Sequence, residues 1–89
     1  MELSVVQEPG RFVVRMGNAE AHLTYELHGG VLEVISTFTP PALRGQGLAA
    51  RLTEAAIAFA RQEGLRIRPT CSYTRAYLEQ RTALRELVE

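Results

Sequence analysis

The sequence predicts a small α+β fold built on one mixed sheet: antiparallel strands, then a single strand–helix–strand crossover, then short C-terminal helices. Three observations carry this. Up to Phe38 the chain falls into β-prone runs separated by Gly-containing turns. From Leu48 the apolar period changes from two to that of a helix. After Gly64 a short β-type run returns, and right-handed crossovers make two such flanking strands parallel.

Each element has its own signal. Leu3 to Val6 is a short apolar run closed by the turn residues Glu8-Pro9-Gly10, and Arg11 to Met16 completes a predicted hairpin. Gly17-Asn18 turns the chain. Ala19 to Leu27 then alternates Ala21, Leu23, Tyr25 and Leu27 against Glu20, His22, Thr24 and Glu26, the pattern of a half-buried strand. His28-Gly29-Gly30 precedes Val31 to Phe38, whose apolar residues fall on both faces and predict a central strand covered on both sides. A helix is expected from Gly47 to Glu63, with Leu48, Leu52, Ala55, Ala56, Phe59 and Ala60 inward and Gly64 as its stop. Leu65 to Arg68 is the second parallel strand. Tyr73 to Gln80 and Ala83 to Val88 are short helices broken near Arg81-Thr82.

The 89 residues suit one compact domain, 1–89, with room for one site. Ten basic residues balance ten acidic ones, which gives no global field toward nucleic acid or an anionic membrane. All ten are Arg, so mechanisms that need Lys, including the P-loop, have no residue to use. A lone Cys71 forms no internal disulfide and no Cys-rich zinc site, and the absence of a leader or a membrane-length apolar run predicts a cytoplasmic protein. His22 and His28 are isolated, with no second His, Cys or carboxylate cluster joining them, so no metal is expected.

The informative stretch is Thr39-Pro40-Pro41-Ala42-Leu43-Arg44-Gly45-Gln46-Gly47-Leu48-Ala49-Ala50. A helix N-terminus carries roughly half a positive charge, usually offset by an acid in the first turn. Here the first turn holds Leu48, Ala49, Ala50 and Arg51, Arg44 stands just before it, and the first acid is Glu54. Bare amides, a positive dipole and two arginines fit an external anion; a plain turn with water on the amides fits the glycines equally well. Gly45-x-Gly47-x-x-Ala50 also satisfies a dinucleotide fingerprint, but Pro40 to Arg44 separate it from the strand and no acid ends the next strand.

Arg44-x-x-Gly47-x-Ala49 matches the [QR]-x-x-G-x-[GA] signature of the GNAT superfamily of N-acetyltransferases. The chain resembles the small single-domain GNAT-like family over about Arg11 to Leu78. Pro41 to Gly47 matches its Pro-containing turn, Leu48 to Ala60 its alanine-rich helix, and Glu63-Gly64-Leu65 and Arg66 to Thr70 the following turn and strand. Cys71 and the aromatic segment to Tyr77 complete the order. The chain departs from that pattern at Ser72, often Pro in the family, and around Arg81 to Arg85, where a His-Pro-Glu-aromatic segment is usual.

The resemblance implies a GNAT-like mixed sheet that binds acetyl-CoA and transfers its acetyl group to an amine acceptor such as a protein amine. The alternative is a CoA- or acyl-CoA-binding module without catalysis. Pantetheine would pair with the strand edge near Ser36, Thr37 and Phe38, where a backbone N–H near Phe38 would serve the oxyanion. The pyrophosphate would meet Arg44, Gly45, Gln46, Gly47, Leu48 and Ala49. Cys71 is implied in the active site, either lining it or carrying the acetyl group. Tyr77, with Tyr73 second, is the candidate donor to the CoA thiolate, and packing on the sheet is the plainer role for both. Glu33 is a candidate base or an exposed strand residue, and Arg66, Arg68 and Arg75 are candidate flanks of the acceptor or the 3′-phosphate, with solvated surface the plainer role for all three. Oligomeric state is left open.

Overall fold

The computed structural model describes residues 4–89. Five strands form one sheet in sequence order: β1 (Val6–Glu8), β2 (Arg11–Met16), β3 (Ala19–His28), β4 (Val31–Phe38) and β5 (Arg66–Pro69). The first four pair antiparallel and β4–β5 is parallel, as the crossover requires. The first strand starts later than the predicted Leu3 to Val6, and Leu3 itself lies outside the described residues. Only Pro9 and Gly10 are left to make the turn, with Glu8 paired to Arg11.

Between β4 and β5 run a 3-10 turn (Pro41–Leu43) and helix α1 (Leu48–Glu63). Its ends lie where left-handed backbone is needed, at Gly47 (φ 71°) and Gly64 (φ 68°), and glycine adopts that conformation without steric cost. Leu48, Leu52, Ala56 and Ala60 recur every four residues and are buried with Ile57 on the sheet. Each large aliphatic side chain removed from water there contributes about 1.5–3 kcal/mol. The alanines between them let the helix sit close. Helix α2 (Ser72–Glu79) follows β5, and the last segment, Thr82–Leu87, is 3-10 rather than α-helical. Val88 then bridges Ile67, so the chain end covers the outer edge of β5.

Ala21, Leu23 and Tyr25 point into the same core as Leu32, Val34, the α1 face and Leu78, as the alternation predicts. The expectation that β4 is covered on both sides is corrected. Leu43, Tyr77, Leu78, Leu84, Leu87 and Val88 all join that one core, so among the described residues the helical segments occupy a single face. Val31, Glu33 and Ile35 on β4 are only partly buried and stand outside it. The apolar residues of β4 at odd positions therefore report a half-buried sheet surface with no second helical layer among the described residues.

That other face carries a closed ring of charge. Arg11 pairs with Glu8 (3.1 Å) and Glu20 (3.0 Å), and Arg15 pairs with the same two acids (2.8 and 2.9 Å). Arg11 and Arg15 flank Val13 two residues to either side, so all three share a strand face. Val13 is 0% exposed although it lies outside the helix-covered core. Long charged side chains such as those of Arg11 and Arg15 can screen an apolar residue between them.

Candidate active site

Two features of β4 create an opening. Beyond Val34, which pairs with Pro69, no β5 residue faces β4. On the other edge Tyr25 pairs with Val34 and Thr24 with Ser36, leaving Ile35 unopposed as a bulge. The strands separate from there, and the edge of β4 from Ile35 to Phe38 lacks a neighbour on the β5 side. Cys71 sits at the mouth. Its N–H donates to Val34 C=O (2.9 Å), and its Sγ lies 3.8 Å from Thr37 Oγ1.

Cys71 is 8% exposed and forms the N-cap of α2. No capping hydrogen bond to Sγ is formed, yet the sulfur lies against the start of the helix. Burial pushes the thiol pKa up. The Thr74 N–H, the Thr37 and Thr74 hydroxyls and the Tyr73 N–H pull it down and together prevail, so the pKa falls below the ordinary thiol value. Thr74 is fully buried and its Oγ1 has no hydrogen-bond partner. An unpaired buried hydroxyl beside a sulfur is a donor held ready for a thiolate.

The glycine turn lies at the open end of β4. Among the described residues, no acceptor takes the N–H of any residue from Gly45 to Ala50; the first bond of α1 is Arg51 N–H to Gly47 C=O (3.1 Å). Gly45 (φ 84°) and Gly47 both occupy left-handed backbone. No acid stands in the first turn and no side chain caps the helix. Arg44 Nε donates to Thr39 C=O (3.1 Å), which fixes its side chain beside the cleft. The cleft, of about 280 Å³, extends from Thr39 past Arg44, Gly45, Gly47 and Ala49 to Tyr73. Of the six residues expected at the turn, Arg44, Gly45, Gly47, Leu48 and Ala49 line this cleft and Gln46 does not. Thr37 and Phe38 lie on the β4 edge leading to it, with Thr37 at Cys71 and Phe38 turned to the open face against His22 (ring centroids 5.6 Å).

Tyr77 is directed toward α1. Its hydroxyl donates to Glu54 on α1 (3.0 Å), and the Arg81 guanidinium lies 3.6 Å from its ring centroid. Burial first, then the Glu54 hydrogen bond, raises the phenol pKa, keeping it a proton donor at neutral pH. Tyr73, 39% exposed, lines the turn cleft directly.

Glu33 lies on the open face beside the same opening. It accepts from the Thr70 hydroxyl and from His28 Nε2 (2.9 Å) and faces Arg68 at 4.0 Å. The Thr70 bond above all, with His28 and Arg68, holds its carboxyl below the ordinary glutamate value against the opposing effect of burial. Arg68 is itself paired bidentately with Glu89 (3.0 and 2.8 Å), and Arg66 donates to Glu86 C=O. Sequence reasoning did not single out Thr74, Thr70 or Glu54, whose contacts depend on segments far apart in the chain. Among the described residues no three His, Cys, Asp or Glu side chains gather as a metal set, and no helix is long and apolar enough to cross a membrane.

Comparison with known proteins gives the site a context. Residues 11–87 match the family described as GCN5-related N-acetyl-transferase. The chain is 34% identical over 73 residues to Protein NATD1 of Gallus gallus, covering 79% of this chain and 66% of that protein, and to Protein NATD1 of Homo sapiens at the same identity, with 65% of that protein covered. It therefore spans just under two thirds of the length of these curated relatives. The NMR solution structure of a GCN5-like protein from Staphylococcus aureus superposes with a TM-score of 0.79 at 25% identity, over 97% of this chain and 87% of that one.

Proposed function

Since the chain belongs to the GCN5-related N-acetyltransferase family, we propose that its glycine turn holds the pyrophosphate of acetyl-CoA and that the β4–β5 opening presents the thioester to an amine. The observation that carries this is the run of amides from Gly45 to Ala50 with no acceptor among the described residues, at a helix start without an acid. Arg44 adds a fixed cation. Pantetheine runs from the turn along the unpaired edge of β4 past Phe38, Thr37 and Ser36 and brings the thioester to Cys71.

The chemistry is acyl transfer. The amine nitrogen attacks the thioester carbon, the C–S bond breaks, and the amine proton goes finally to the departing thiolate. A backbone N–H on the β4 edge receives the developing oxyanion, and positioning supplies much of the rate. Tyr73, which lines the turn cleft, returns the proton to sulfur, while Tyr77, the other candidate, has its hydroxyl on Glu54. Cys71, with its lowered pKa, provides a covalent variant in which Sγ takes the acetyl group, CoA leaves as the thiol, and the amine attacks the acetyl-cysteine. Among the described residues no helix covers the other sheet face, so an acceptor with its own structure, such as a protein amine, fits best.

A second reading, a non-catalytic acyl-CoA-binding module, is favoured by one contact: the Tyr77 hydroxyl is committed to Glu54. Two measurements separate the readings. Titration of 15N-labelled protein with acetyl-CoA is expected to shift the Gly45 to Ala50 amide resonances most; shifts elsewhere only, or none, overturn the binding site. Release of free thiol in the presence of amine-bearing peptides, or acetyl on Cys71, supports transfer; binding without either supports the module.

A further inference from the structure

A second pocket, of about 170 Å³, lies between α1 and α2 and is lined by Ala50, Tyr73, Ala76, Tyr77, Gln80 and Arg81. It adjoins the turn cleft, since Ala50 and Tyr73 line both. No carboxylate faces it. Its one charged lining residue, Arg81, has no carboxylate partner among the described residues, but its guanidinium is fixed: its carbon lies 3.6 Å from the Tyr77 ring centroid, and Nη1 donates to Tyr77 C=O (3.1 Å). The ring contact and one hydrogen bond leave the other guanidinium donors without an acceptor among the described residues, an arrangement suited to a phosphate. Tyr73 supplies an exposed aromatic face between the two clefts.

Resting on the reading that the turn holds a CoA pyrophosphate, we infer that this pocket takes the 3′-phosphate side of the same molecule, with Arg81 as the residue that distinguishes CoA from its 3′-dephospho form. The placement follows from the helix. α2 begins at Cys71 beside β4 and ends beside Arg81, so its two ends mark the two directions in which CoA extends from its pyrophosphate: pantetheine toward Cys71, and the phosphorylated ribose toward Arg81. A neutral ligand would gain nothing from an unpaired guanidinium there. A phosphate monoester gains a charge-assisted pair.

Calorimetry with CoA and 3′-dephospho-CoA tests this on the wild-type chain and on Arg81→Gln. The wild type is expected to bind CoA about tenfold more tightly than dephospho-CoA, the size of one charge-assisted hydrogen bond. Arg81→Gln is expected to bind both ligands as the wild type binds dephospho-CoA, and that retained affinity shows that the variant is folded. Equal wild-type affinities, a preference that survives in Arg81→Gln, or an equal loss for both ligands overturns the assignment and leaves the turn site standing. Failure of the wild type to bind either ligand overturns the pyrophosphate reading instead, and this inference with it.

Discussion

Replacing Thr74 by Val is expected to make the protein more stable and its cysteine less reactive. Thr74 is 0% exposed, and its hydroxyl oxygen has no partner. A buried hydroxyl left unpaired costs about 1–3 kcal/mol, so an isosteric methyl in its place is worth about 1 kcal/mol, allowing for some relaxation at the site. For a chain of this size that raises the melting temperature by about 4–8 °C. The same hydroxyl helps to hold the Cys71 thiol below its ordinary pKa, so its removal moves ionisation to higher pH. Thermal unfolding gives the first quantity, and the rate of iodoacetamide alkylation against pH gives the second. Thr53 is an internal contrast, equally buried but bonded to Ala49 C=O at 2.9 Å; Thr53→Val loses a made bond, about 0.5–1.5 kcal/mol. A Thr74→Val protein that melts lower than the wild type, or an alkylation midpoint that does not rise, refutes the reasoning.

Two further outcomes follow from the open face. Val13→Ala is expected to cost about 1.5–3 kcal/mol, the burial free energy of its side chain, whereas Glu20→Gln changes the melting temperature much less, because partly exposed ion pairs contribute little; equal losses in chemical denaturation would show that the ring matters more than the side chain beneath it. Glu33 has a lowered folded-state pKa, so its stabilisation is present above the ordinary glutamate value and lost as pH falls through the folded value. Melting temperatures taken from neutral to acidic pH should therefore fall less steeply for Glu33→Gln than for the wild type, and parallel curves would remove the Thr70 and His28 bonds as its cause.

Local chemistry made much of the fold legible. The β4 span agrees with the observed Val31–Phe38, and α1 begins at Leu48 because Gly47, counted inside the predicted helix, is its left-handed N-cap. The second helix lies one residue earlier than expected at both ends, since Cys71 caps it and Ser72 begins it. The turn was visible because an absent acid and two arginines are local facts. What was not visible depends on distant pairings. Period alone cannot say on which side α2 docks, so the bare sheet face, the ion ring around Val13 and the Tyr77–Glu54 bond were out of reach. The last segment is tighter than α-helical, at Thr82–Leu87, where Val88 is drawn to Ile67; no sequence period marks that tether.

The unopposed Ile35 has a consequence for orientation. Side chains on a strand alternate, so one extra residue reverses the assignment of every position after it. Val34 faces the helices with Tyr25, and strict alternation would send Ser36 inward and Thr37 outward. With Ile35 inserted, Thr37 instead shares the face of Leu23 and meets Cys71, while Phe38 turns out to His22. A single added residue thus acts as a parity switch: it gives the thiol a hydroxyl neighbour where an uninterrupted strand would set Ser36 and Phe38 on the helix side.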